Sequence, residues 1–293
     1  MRLFAFGIGY SAQALIETHR SQWSRIAGTV RRRDKAEHLR RDGIAAFVLD
    51  DRADERALFE EIRRADAILI SAPPTAEGDP VLTRFGDSIS SAAHCAWIGY
   101  LSTTGVYGDH GGAWVDEQTP PHPQSRSSVQ RLAAEQAWLA LGGMTESPVH
   151  IFRLTGIYGP GRNVLIQLAQ GTARRIQNPG QVFNRIHVED IAATLAASLQ
   201  RPRAGAIYNV TDDEPAPQQD VVAYAARLAG VEPPPEIAFE VADLSPMART
   251  FYGENKRVSN RLIRSELDVG LRYPTYREGL RALHEAGEFA QAA

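Results

Sequence analysis

The chain is predicted to fold as an α/β protein, a parallel sheet doubly wound with helices and followed by a smaller C-terminal lobe. Three observations predict it. Short apolar runs alternate with helix-patterned segments through the first half of the 293 residues, which is the rhythm of strand and crossover helix. The first run breaks at two closely spaced glycines and passes straight into a helix-compatible stretch. After about residue 156 the rhythm becomes irregular and prolines accumulate. The expected division is residues 1–155 as the wound sheet and 156–293 as a mixed segment that completes the sheet and forms the lobe.

In chain order, strands are expected at residues 3–7, 26–30, 45–49, 67–70, 96–101 and 149–154, each a short apolar run. Amphipathic stretches between them, such as 35–41 and 58–64, are long enough to be right-handed crossovers. Two longer turn-rich segments, 105–124 and 156–163, both follow predicted strands, and in doubly wound sheets ligands sit at those strand ends. Residues 207–210 read as one more strand, 214–217 and 231–235 as proline-rich linkers or turns, and a helix is expected to start near Val258. No internal repeat and no low-complexity tract interrupts the chain.

Composition narrows the function classes. With 43% hydrophobic and 23% charged residues and a net charge of -3, the chain has the balance of a globular protein and no basic tail that would call for nucleic acid or a membrane surface. No apolar stretch approaches membrane-spanning length, and the reading is a cytoplasmic protein neither exported nor anchored. Cys95 is the only cysteine, which excludes an internal disulfide framework and a multi-cysteine metal site; no metal centre is expected, and the thiol reads as packing.

The first strand runs into Gly7-Ile8-Gly9-Tyr10-Ser11-Ala12. In such a GxGxxA turn the first glycine permits a tight bend, the second lets the backbone approach a pyrophosphate, and the small third residue lets helix pack on strand; the helix N-terminus then offers free N–H groups. Gly7, Gly9, Tyr10, Ser11 and Ala12 are therefore assigned to a dinucleotide in a Rossmann-type fold, against the alternative of a purely structural turn. The second strand ends in Thr29-Val30-Arg31-Arg32-Arg33 with no carboxylate for a ribose 2′-hydroxyl. Guanidinium groups there can pair with a 2′-phosphate, so Arg31 and Arg32 predict NADP(H), with NAD(H) as the alternative cofactor. The bland alternative is a solvated basic start to the next helix.

Further along stands Leu101-Ser102-Thr103-Thr104-Gly105-Val106-Tyr107-Gly108, followed by Asp116-Glu117 and by Pro120 and Pro121. Together with the run Arg153 to Arg162 (RLTGIYGPGR), the run Arg185 to Asp190 (RIHVED) and the run Tyr208 to Asp212 (YNVTD), in this order and spacing, the chain resembles the extended short-chain dehydrogenase/reductase family, which includes the nucleotide-sugar epimerases and dehydratases. The resemblance implies that Thr103 carries the catalytic hydroxyl and that Ser102 and Leu154 border the cofactor. It implies further that Asp50 and Asp51 lie near the adenine and that Ser71, Ala72 and Pro73 line the ribose and phosphate path. By the same resemblance Tyr158, Arg162, Asn163 and Arg185 face the substrate, with Tyr252, Lys256 and Arg257 lining the cleft from the C-terminal lobe; a polar turn is the alternative for these last three. A homodimer paired through helices beside the fourth and fifth strands is also implied. His187 reads first as a structural hydrogen-bonder at a helix entry, and Asp190 as a first-turn acid favoured by the helix dipole.

The family pattern breaks at one place. Its Tyr-x-x-x-Lys pair belongs on the helix after the fifth strand, and matching on Leu132 to Glu135 puts Ser127 at the tyrosine position and Arg131 at the lysine position. Arg131 can still neutralise charge and hold a ribose, but a serine hydroxyl is far too weak an acid to replace the phenol. The chain has only two lysines, Lys35 and Lys256, and its one Tyr-x-x-x-Lys, Tyr252 to Lys256, lies far from the expected helix. Tyr107 is taken as the replacement acid. The expected function is an NADP(H)-dependent oxidoreductase or epimerase/dehydratase-like enzyme on a small polar, anionic substrate. The alternative is a cofactor-binding sensor or scaffold without turnover.

Overall fold

Leu3 and Ala5 of the first strand join one apolar cluster and Phe4 and Phe6 another, and all four are buried, so this strand is covered on both faces. That is the condition for a parallel sheet sandwiched between helices. The computed structural model describes residues 1–49, 54–92, 94–145 and 147–292; Asp50 and Asp51 lie outside the described residues. The first part of the chain forms β1 (Arg2–Phe6), α1 (Tyr10–Thr18), β2 (Arg25–Val30), α2 (Arg33–Arg41), β3 (Ala45–Val48), α3 (Glu55–Arg63), β4 (Ala67–Ile70), α4 (Pro80–Ser90), β5 (Trp97–Thr103), β6 (Trp114–Val115), α5 (Arg126–Thr145) and β7 (Val149–Leu154). The remainder forms β8 (Gly156–Tyr158), α6 (Val164–Ala169), β9 (Arg175–Gln177), β10 (Arg185–His187), α7 (Val188–Gln200), β11 (Ala206–Val210), α8 (Gln218–Ala229), β12 (Glu236–Ala238), α9 (Pro246–Tyr252), β13 (Arg257–Val258), α10 (Arg261–Ser265), α11 (Tyr276–Glu285) and α12 (Glu288–Ala292).

Seven strands make the main sheet in the order β11-β7-β5-β4-β1-β2-β3, and every pairing in it is parallel. Helices α1, α2 and α7 cover one face through Leu15, Leu39 and Leu195, while α3, α4 and α5 cover the other through Ile62, Phe85 and Trp138. Each of these side chains contributes about 1.5–3 kcal/mol by leaving water. The strand order reverses between β1 and β4, which opens a crevice at their C-terminal ends where the glycine turn lies. This is a Rossmann-type fold, as the alternating sequence predicts.

A third apolar cluster, including Leu165, Val222 and Leu280, packs α6, α8 and α11 into the smaller lobe. Three two-stranded parallel pairs, β10 with β8, β12 with β9 and β13 with β6, stitch distant segments together. The last of these corrects the expected helix start near Val258. There the backbone is captured by long-range partners, since Arg257 N–H donates to the Ala113 carbonyl at 2.9 Å and Ser259 N–H to the Val115 carbonyl at 2.9 Å, so the helix begins only at Arg261. Among the described residues no helix is long and apolar enough to cross a membrane.

Candidate active site

The glycine turn is held open by the strands beside it. Gly7 N–H donates to Thr29 Oγ1 at 3.0 Å and Ile8 N–H to the Thr29 carbonyl at 2.9 Å, so the end of β2 fixes the bend. Gly7 adopts φ +85, and a side chain there would also press on the Ala72 amide at 3.3 Å, which is why glycine is needed. A Cβ on Gly9 would meet nothing nearer than the Gly7 carbonyl at 3.9 Å and Ser71 Oγ at 4.0 Å. The space above the second glycine is therefore open, and no side chain caps the first turn of α1. Buried Ser11 and Ala12 let that helix sit close on the sheet. Open space, uncapped amides and a positive helix end fit a diphosphate. Beyond β2, Arg31 and Arg32 are exposed, and Arg32 is turned onto Asp34 in a two-armed ion pair.

At the C-terminal ends of β4, β5 and β7 a cavity of about 900 Å³ opens, lined by Pro73, Thr103, Ser127, Arg131, Leu154 and Lys256 among others. A side chamber of about 230 Å³ adjoins it; Gly156, Ile157, Arg162, Arg185 and Gln218 line both. Thr103 Oγ1 accepts the Gly105 N–H at 3.1 Å, so its own proton is left to donate. Ser127 sits on the first turn of α5, linked to Ser125 Oγ at 3.1 Å. One turn on, Arg131 Nη1 donates to the Leu101 carbonyl at 2.9 Å and to the Tyr100 hydroxyl at 3.2 Å, with its guanidinium over the Tyr100 ring. The structure thus brings Thr103, Ser127 and Arg131 together around one cavity, as the matching of the sequence places them.

Arg185 donates to the Phe183 and Ala216 carbonyls at 2.9 and 3.1 Å and to Gln218 Oε1 at 2.7 Å. Burial pulls its pKa below the usual arginine value, against the opposing field of Asp212. Tyr158 and Asn163 line the side chamber. Burial, with Asp212 and Asp190 adding to it, pushes the Tyr158 phenol well above its ordinary range. The Asn163 amide is committed: Oδ1 accepts the Leu165 and Ile166 N–H groups at 3.0 and 3.2 Å, while Nδ2 donates to the Gly159 carbonyl and to Glu288.

Several expected residues lie elsewhere. Tyr107 is fully buried, and its hydroxyl donates to Asn209 Oδ1 at 2.8 Å beneath the Arg153 guanidinium. Burial raises its pKa, and it does not line the cavity, so its expected role as the replacement acid is withdrawn. The Ser102 hydroxyl, expected at the cofactor, instead donates to Glu135 inside the core. Tyr252 packs its ring between Phe183 and Phe239 at 5.0 and 5.1 Å, and Arg257 donates to the Gly112 carbonyl; neither lines the cavity. Lys256 does line it, with Nζ donating to the Gly108 carbonyl at 2.8 Å and to Glu254 at 2.6 Å. Because α9 ends at Tyr252, this tyrosine and lysine do not share a helix face, and the motif is a coincidence of sequence.

His187 is structural, as its place at a helix entry suggests: Nδ1 accepts the Glu189 N–H at 3.2 Å and caps α7. Asp190 does more than favour the helix dipole, because its two carboxylate oxygens accept the Arg272 and Tyr273 N–H groups at 2.7 and 3.1 Å. Cys95 is buried, and burial pushes its thiol up to about 11. Sequence reasoning missed Gln218 and Phe251 on the cavity wall and the buried Arg153–Glu135 pair at 2.8 Å beneath it. The pair had a signal, an arginine inside an apolar strand. Among the described residues no group of three or more His, Cys, Asp or Glu could hold a metal ion.

Comparison with known proteins adds four findings. The sequence profile of the NAD dependent epimerase/dehydratase family matches residues 7–211. Protein YeeZ of Escherichia coli strain K12 is 30% identical over 240 residues, which is 78% of this chain and 84% of that protein. Among solved structures, a conserved protein of unknown function from Silicibacter pomeroyi DSS has 50% identity and a TM-score of 0.88, covering 98% of this chain and 99% of its own. UDP-glucuronic acid 4-epimerase from Bacillus cereus in complex with NAD shares the fold at a TM-score of 0.76 and 16% identity, over 100% of this chain and 99% of its own.

Proposed function

Since the chain belongs to the NAD dependent epimerase/dehydratase family, we propose that it is an NADP(H)-dependent oxidoreductase or epimerase/dehydratase-type enzyme acting on a small anionic carbonyl or alcohol. The observation that carries this reading is the charge of the cavity wall: among the described residues Arg126, Arg131, Arg162, Arg185 and Lys256 line it against one carboxylate, Glu254, which is already paired with Lys256. Such a wall attracts an anion in a protein whose net charge is -3.

Gly7, Gly9 and the first amides of α1 would hold the diphosphate, Arg31 the 2′-phosphate, and Ser71, Ala72 and Pro73 the path between. When bound, the nicotinamide supplies the hydride donor or acceptor. Thr103 donates a hydrogen bond to the substrate oxygen, and Arg131 keeps positive charge beside it where the family has lysine. Arg185 orients the anionic group from the lobe. The bound dinucleotide of the Bacillus cereus epimerase supports a nicotinamide cofactor, and the exposed Arg31 supports the phosphorylated form. A cytoplasmic setting and a homodimer belong to the same reading; light scattering measures the second.

The test is a fluorescence titration with NADPH and NADH, followed by a screen of carboxylated and phosphorylated aldehydes, ketones and sugars. NADPH is expected to bind at least about tenfold more tightly, because a guanidinium–phosphate pair contributes on the order of 1.5–3 kcal/mol. Arg31→Ala is expected to erase the difference. Tighter NADH binding would remove the preference for the phosphorylated cofactor. The second reading, a cofactor-binding sensor without turnover, is favoured by the lack of any tyrosine among the described residues lining the main cavity. Tight NADPH binding with no decay of its fluorescence across the screen selects it.

A further inference from the structure

The segment after β8 is an unusually well-anchored turn that presents one uncommitted side chain. Gly159 and Arg162 exchange backbone hydrogen bonds at 3.0 Å each way, closing a tight turn over Pro160 and Gly161. The Pro160 carbonyl accepts the Tyr10 hydroxyl at 2.9 Å. Gly161 N–H and Asn163 Nδ2 both donate to Glu288 of α12, at 3.0 and 3.1 Å. Every neighbour of Arg162 is thus tied down, whereas its own guanidinium is exposed and lies over the Tyr10 ring, 5.9 Å from the centroid. Tyr10 is the residue directly after the second glycine of the dinucleotide turn and the first residue of α1.

The geometry points to Arg162 as a clamp on the diphosphate of the bound dinucleotide, reaching from the wall opposite the glycine turn, with Tyr10 as the surface that guides its guanidinium there. This rests on the dinucleotide reading above and reassigns Arg162, expected at the substrate, to the cofactor. The chemistry fits. A planar guanidinium can bridge two phosphate oxygens while the α1 amides bind from below, and the space over Gly9, the residue before Tyr10, is open. Pre-anchoring of the turn means that only the arginine side chain loses freedom on binding. Cation–π support from Tyr10 keeps the guanidinium near the turn before the ligand arrives.

The experiment is calorimetry with three probes: NADPH, ADP-ribose, which carries the diphosphate but no nicotinamide, and adenosine 2′-phosphate, which has no diphosphate. The proteins are wild type, Arg162→Met, Arg162→Lys and Tyr10→Phe. Arg162→Met is expected to weaken NADPH and ADP-ribose about tenfold or more and adenosine 2′-phosphate by less than about twofold, with faster NADPH release in stopped flow. Arg162→Lys should fall between, keeping charge but losing the fork. Tyr10→Phe, which keeps the ring and loses the anchor, should show a smaller loss on the same two ligands, and it provides the reading if the methionine variant fails to fold by thermal unfolding without ligand. Unchanged ADP-ribose affinity in a folded Arg162→Met protein overturns the clamp, as does an equal loss for adenosine 2′-phosphate. A folded wild type that binds neither NADPH nor ADP-ribose instead overturns the dinucleotide reading, and the clamp with it.

Discussion

His187 shows how one buried side chain makes the fold sensitive to acid. Its Nδ1 can accept the Glu189 N–H only while it carries no proton, and Nε2 is buried without a partner. Burial, with Arg272 adding to it, holds the folded pKa down at about 4, against about 6.5 for a histidine free in water. The unfolded chain therefore takes up the proton first as pH falls. The stabilisation is fully present above about pH 6.5 and is lost progressively down to about pH 4. His187→Asn keeps an acceptor for the cap and cannot titrate in this range. Urea unfolding at pH 7 and pH 5 should show wild type losing about 2 kcal/mol more than His187→Asn between the two; equal losses in both proteins would show that this histidine does not carry the dependence. The entry histidine was readable in the sequence as structural, because a helix start needs a local acceptor. Its burial was not, because that depends on Tyr158 and Tyr273 packing against it from separate segments.

Helix α5 joins core and site. Its inner face buries Glu135, whose carboxylate accepts from the Ser102 hydroxyl of β5 and from Arg153 of β7 at 2.8 Å, locking the helix to two neighbouring strands. Arg131, one turn earlier on the same helix, is placed at the cavity by that lock. Glu135→Gln leaves the Arg153 charge buried without its partner and is expected to cost about 3–5 kcal/mol, measured by denaturant unfolding. Replacing both Glu135 and Arg153 by Met should recover much of that loss; a loss of less than about 1 kcal/mol for the single change would mean the pair is worth little. The strands of the sheet were legible almost residue for residue, with 67–70 and 149–154 matching β4 and β7 in full. Continuous apolar runs leave few registers open. By contrast β6 and β13, two residues each, carry no periodicity that a sequence can display, and the polar run around Arg257 resembled a helix start until its distant partner strand was in place. Tyr107 was misread for a related reason: it follows the strand end expected to meet the nicotinamide, while Asn209 and Arg153, both far off in sequence, draw it into the core.

On the scale of the whole molecule, the lobe is fastened to the sheet at a few points, and Asp190 is one of them. Its carboxylate takes both the Arg272 and Tyr273 amides, and those residues lead into α11, whose Tyr276 and Leu280 border the side chamber. Asp190→Ala strands two amides and should cost about 2–5 kcal/mol. Hydrogen exchange would then show lost protection in α10 and α11 with β1 and β4 unchanged; uniform loss across both would mean that lobe and sheet open as one unit. The wound sheet and the dinucleotide turn were open to sequence reasoning because each is built from neighbouring residues. The cavity wall was only half open to it, since Gln218 and Phe251 arrive from separate stretches of the lobe. The pairing of β13 with β6 carries a cost during synthesis. Lys256 and Gly108 are joined across 148 residues of chain, and Val258 completes a cluster with Val106, Tyr107 and Val115. While the ribosome is still translating the last part of the message, those three side chains have emerged without the residue that closes over them. The nascent protein thus offers a greasy patch to chaperones and proteases until Val258 emerges to cover it.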